Sequence, residues 1–245
     1  NVAIGYYALT SNVTGFNNVA VGVNALYTNT ASNNTAIGRD ALKLSTADNC
    51  VAVGSLALAA NSTGAANVAV GYGALNDNTT GNYNIAIGGG ALDTNTTGDN
   101  NVAMGINALT ANTTANNNTA IGYEALTANT TGTNNTALGV NALKSTTTTN
   151  NNTALGRDTL QATTGNNNTA IGSLALYENT TADANTAVGA QALEKNTTGT
   201  PNTAVGFQAL ENNTTGSSNV AVGAYALDEN TTGIRNTAVV VSCRS

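Results

Sequence analysis

Apolar and polar positions along this chain fall on a 17-residue beat. Nearly every unit opens with Asn (once Cys50) and then Thr or Val (once Ile85), Ala, an aliphatic residue and Gly; two variable residues, an Ala-Leu pair and a polar stretch that often contains N-T-T-G complete it. Numbering from that first Asn, the position 5 glycine falls at Gly5, Gly22, Gly38, Gly54, Gly71, Gly88, Gly105, Gly122, Gly139, Gly156, Gly172, Gly189, Gly206 and Gly223. The spacing is 17 throughout except for three steps of 16, and a fifteenth unit starts at Asn236 with Val240 in the glycine's place. A period this short, held along the whole chain, predicts a solenoid in which each repeat is one coil. The apolar pattern stops after Ala-Leu and N-T-T-G interrupts it, so a helix is not expected. The expected fold is all-β: a parallel β-solenoid of about fifteen coils over residues 1–245, one repeat domain, roughly 70 Å long at about 4.8 Å per coil.

The alternation of side chains along a strand divides the positions between two faces. Position 4 is always aliphatic or Met, as in Ile4, Met104 and Ile121, and position 9 is Leu from Leu9 to Leu227. These two are expected to fill the coil, with position 2 beside position 4. Position 3, Ala in every copy, then points outward. An unbroken outward Ala/Gly stripe suggests close approach of another backbone, and the expected oligomer interface is Ala3, Ala20, Ala52, Ala86, Ala120, Ala137, Ala154, Ala187 and Ala221. A competing reading assigns the small residues only to tight bending of a narrow coil.

The turn has its own pattern. Gly15, Gly64, Gly81 and their equivalents sit where a turn with positive φ would want glycine. Stacked coils would bring position 12 into register as an exposed ladder of amides, Asn78, Asn95, Asn112, Asn129, Asn179, Asn196, Asn213 and Asn230. The same asparagines begin N-x-[ST] sequons, which the repetition of a turn motif also explains.

Composition narrows the chemistry. There is no His, and charged residues are 8% of the chain with a net charge of -6, which argues against a nucleic-acid partner. Cys50 and Cys243 are eleven coils apart on this reading, roughly 50 Å and far beyond disulfide reach. No catalytic triad, phosphate loop or calcium-binding nonapeptide is present. Asp228 and Glu229 read as a solvated rim, and Asp40 with Arg39 and Lys43 as a charge cluster. No enzyme, cofactor or metal is expected, and no apolar run approaches the ~20 residues of a membrane helix. The chain opens at Asn1 without Met, which suggests a processed product or a piece of something longer.

The strand motif, N-V-A-I-G at Asn1 to Gly5, N-V-A-V-G at Asn18 to Gly22 and N-T-A-V-G at Asn202 to Gly206, resembles the head repeats of trimeric autotransporter adhesins. The longer N-T-A-x-G-x-x-A-L-x-x-N-T-T-G form is similar to repeats of phage tail fibres and large surface proteins. The resemblance implies a left-handed parallel β-roll, three chains about a common axis, and attachment to matrix or cell surfaces; the adhesin unit is usually shorter, and neither a heptad stalk nor a membrane anchor is visible here. The reading it favours is a structural and adhesive module on a cell or virion surface, its partner being itself and a surface ligand of unknown identity. A second reading is a filament built by end-to-end stacking of solenoids. A third, an ice-binding solenoid, needs a flat ladder of regularly spaced Thr; the two Thr of N-T-T are adjacent and would face opposite sides of a strand, and the position 2 Thr would stand alone beside an inward Val, which disfavours it.

Overall fold

Asn, replaced once by Cys50, separates the turn from a strand of only three residues, and Gly follows every strand but the last. The structure, a computed structural model, describes residues 1–240, and the chain divides into two compact units, Asn1–Tyr123 and Glu124–Ser245. The first contains β1 (Val2–Ile4), β2 (Val19–Val21), β3 (Thr35–Ile37), β4 (Val51–Val53), β5 (Val68–Val70), β6 (Ile85–Ile87), β7 (Val102–Met104) and β8 (Thr119–Ile121). The second contains β9 (Thr136–Leu138), β10 (Thr153–Leu155), β11 (Thr169–Ile171), β12 (Thr186–Val188), β13 (Thr203–Val205), β14 (Val220–Val222) and β15 (Thr237–Val239). Within each unit the strands pair in chain order, parallel and in strict register: Ala3 lies against Ala20, Ala154 against Ala170 and Ala187 against Ala204. The fold is therefore the expected parallel β-solenoid, without a helix among the described residues.

Most backbone bonds run from coil to coil. In the strand, the Gly22 N–H donates to the Ile4 carbonyl at 2.8 Å; in the turn, the Leu26 N–H donates to the Ala41 carbonyl at 3.1 Å. Two left-handed residues bend the chain between them. Position 7 has positive φ, at Asn24, Asp40, Glu124 and Asp158 among others, and so does every position 9 leucine from Leu9 to Leu227, with φ between +48° and +55°. A left-handed conformation costs a non-glycine residue about 1–2 kcal/mol. Coil-to-coil hydrogen bonding and burial of the leucine offset that cost.

The interior reverses the expected facing of the strand. Ala20, Ala52, Ala86, Ala120, Ala137, Ala154, Ala187 and Ala221 are fully buried within the single chain, packed with the equally buried Ala-Leu pairs such as Ala125 and Leu126. Ala3, in the first coil, is exposed. From Ala20 to Ala221 the Ala stripe is thus covered within the single chain and belongs to the core, where an outward stripe was expected. Position 9 does fill the coil as expected. Positions 2 and 4 face outward instead, with Ile37, Leu138 and Leu155 among the exposed aliphatic residues. Volume accounts for this: the buried Leu of each coil fills most of the interior, and the strand adds only a methyl group to it.

The two glycine positions have different causes. Gly22 and its equivalents have φ of +118° to +141°, and a Cβ there would lie 2.2–2.7 Å from the next coil's backbone. The turn glycines do not have the positive φ expected of them. At Gly64 a Cβ would sit 2.3 Å from the Gly81 carbonyl oxygen, so close approach of the next coil excludes it.

Candidate interaction face

Turning position 3 inward leaves a continuous outward face in each unit. In the first, fourteen of the sixteen outward strand positions are Val, Ile or Met, the exceptions being Thr35 and Thr119. In the second, the first outward position is Thr in every strand but β14, and the second is Leu, Ile or Val. Neither face carries a charged residue. Soluble proteins seldom leave a long contiguous aliphatic surface in water without a use for it.

The polar side chains expected at the surface are largely inside. Position 12 does form an amide ladder: the Asn78 side-chain nitrogen donates to Asn61 Oδ1 at 2.7 Å, Asn95 to Asn78 at 2.8 Å and Asn213 to Asn196 at 2.9 Å. The same nitrogens donate to the turn carbonyl three residues on, as Asn95 does to Gly98 at 3.1 Å. Asn78, Asn95, Asn112, Asn129, Asn179, Asn196 and Asn213 are buried, and Asn230 is half-buried. The ladder is therefore a brace, not an exposed display, and a buried sequon nitrogen has no room for a glycan.

A second buried ladder, which the sequence reading missed, runs along position 1. The Asn84 carboxamide accepts the Asn101 backbone N–H at 2.9 Å and donates to the Gly98 carbonyl of its own coil at 2.8 Å, tying the start of the coil to its end. The Asn that opens every unit but one was the available signal. Cys50 takes this place once: its N–H donates to Asn34 Oδ1 at 2.8 Å and its thiol reaches the Gly64 carbonyl at 3.4 Å. Burial pushes the Cys50 thiol above its usual range. Cys243 lies outside the described residues, and with it the question of its pairing.

Charged groups are sparse, and several of them pair locally. Asp40 accepts from the Asn24 amide at 2.9 Å and lies 3.4 Å from Lys43 and 3.6 Å from Arg39; first the amide, then these cations, hold its carboxyl below the usual range. Lys144 and Glu124 pair at 2.6 Å. Asp93 is raised by partial burial and by the charge of Asp77. Asp228 is half-buried and Glu229 exposed. A groove of about 340 Å³ lies along Gln161, Ala162, Tyr177, Glu178, Thr180 and Thr197. No group of three or more His, Cys, Asp or Glu side chains able to hold a metal occurs among the described residues, and no helix there is long and apolar enough to cross a membrane.

The class defined by this geometry is a parallel β-solenoid repeat protein with an outward aliphatic strand face. No protein-family model matches the chain, and neither does any curated protein or solved structure.

Proposed function

We propose that this protein is a non-catalytic structural module of a cell or virion surface, which associates with copies of itself and presents its polar turns to a target. One observation carries the reading: the Val/Ile/Met face of β1–β8 is left uncovered by the described residues, with Ile4, Ile37, Ile85, Ile87 and Met104 among its exposed side chains. Burying aliphatic area gains about 25 cal/mol per Å², and a regular, uncharged face gives a second copy a complementary surface without desolvating charges. Surface localisation and attachment rest on the strand-motif resemblance. The self-association proposed here uses positions 2 and 4 and leaves the buried alanines out of the contact.

The test is the mass of the native particle by light scattering, for the natural chain and for a variant carrying Val53→Asp, Val70→Asp and Ile87→Asp. A discrete particle of a few chains is expected for the natural protein, and a single chain with an unchanged circular dichroism spectrum for the variant. Uniform fibres unaffected by these substitutions would favour end-to-end stacking instead. A monomeric natural chain would overturn the proposal.

A further inference from the structure

The outward face of the second unit differs chemically from that of the first. From β9 to β13 one rank is Thr136, Thr153, Thr169, Thr186 and Thr203, and the other is Leu, Leu, Ile, Val and Val. Pairing is in register, Thr153 with Thr169 and Thr186 with Thr203, so each rank repeats at the strand spacing of about 4.8 Å. The two ranks lie two residues apart along the strand, about 6.4–6.8 Å. Because Leu138 and Val188 face outward, each Thr has an aliphatic neighbour on the same surface; the objection that the Thr ladder stands alone no longer applies.

The hydroxyls add an independent point. Threonines of the turns use theirs internally: Thr180 donates to the Thr197 carbonyl at 2.9 Å, and Thr197 to the Thr214 carbonyl at 3.0 Å. The five threonines of the face make no side-chain hydrogen bond to any described residue. Their β-branched side chains are stiff at χ1, and the backbone beneath them is fixed by the coil ladder. The result is a rigid, uncharged array of methyl groups and unused hydroxyls on a two-dimensional lattice. Hydroxyls held this rigidly can bind water or another neutral hydrogen-bonding surface with little further side-chain ordering entropy to lose.

We infer that the Thr/aliphatic face of β9–β13 binds the surface of ice. The occupant follows from complementarity: ice offers a neutral hydrogen-bonding lattice with a repeat close to the strand spacing, whereas an anionic or cationic partner would find no charge to meet. This inference uses the second unit and does not depend on self-association through the first.

The experiment measures thermal hysteresis and inhibition of ice recrystallisation with the full chain, alongside particle mass. The variant Thr169→Tyr with Thr186→Tyr breaks the array on the outside of the coil, and Thr198→Tyr, on an exposed turn, serves as control. The natural chain and the control are expected to shape ice crystals and hold a freezing-point gap, while the double variant, with an unchanged circular dichroism spectrum, falls to the level of a non-binding protein. The proposal is overturned if the natural chain shows neither effect, whether it is a monomer or an oligomer that covers the face. Equal activity in the folded double variant would overturn it too. Should the double variant fail to fold, Thr169→Val decides: retained activity with a narrowed freezing-point gap supports the hydroxyl rank, and an unaltered gap removes it.

Discussion

Ala170 and Ile171 are neighbours in β11, and the smaller one belongs to the core. Ala170 is fully buried whereas Ile171 is only half-buried. Hydrophobic size pointed the other way, because a large aliphatic side chain is usually the one a strand buries. The clue was variability within the chain itself: position 4 accepts Ile, Val, Leu and Met, while position 3 accepts nothing but Ala. A site packed to crystal-like density tolerates no added methylene. Ala170→Leu is therefore expected to destabilise the chain by about 1–3 kcal/mol or more through overpacking, and Ile171→Thr by less, about 1 kcal/mol at most, because half of that side chain is already in water. Urea unfolding of both variants checks this, and a larger loss for Ile171→Thr would restore the opposite facing of the strand.

At the scale of one coil, the polar interior is what makes seventeen residues sufficient. With three-residue strands and a lumen filled by Leu and Ala, little apolar area is available per coil. The Asn ladders of positions 1 and 12 satisfy backbone groups that the turns would leave unpaired inside. Cys50 is the weak link of the position 1 ladder, since a thiol is a poor donor to the Gly64 carbonyl, 3.4 Å away. Cys50→Asn should restore the amide brace that Asn67 makes to Gly81 at 2.7 Å, and stabilise the chain by about 0.5–1.5 kcal/mol. Thermal melting reads the outcome. A lower melting temperature would mean that this coil has closed around the smaller thiol and cannot admit the amide.

At the scale of the molecule, the repeat itself was legible: fifteen strands fall where the 17-residue beat places them, and the position 12 amides stack as their register implies. The facing of the strand was not, because period-2 alternation fixes which residues share a side but not which side is inside. Nor were the left-handed leucines, since an Ala-Leu pair carries no sign of the φ it must adopt. Energetically, each strand touches only its neighbours in the stack, so stability is close to a sum of coil and interface terms. Leu176→Asp, which buries a charge without a partner, should then open its own coil and those around Leu160 and Leu193, while amides in Asn1–Tyr123 keep their protection. Hydrogen exchange read by mass spectrometry distinguishes this from the alternative. Equal loss of protection in both units would mean that the chain unfolds as one cooperative body, and that coil-to-coil coupling exceeds what nearest-neighbour packing supplies.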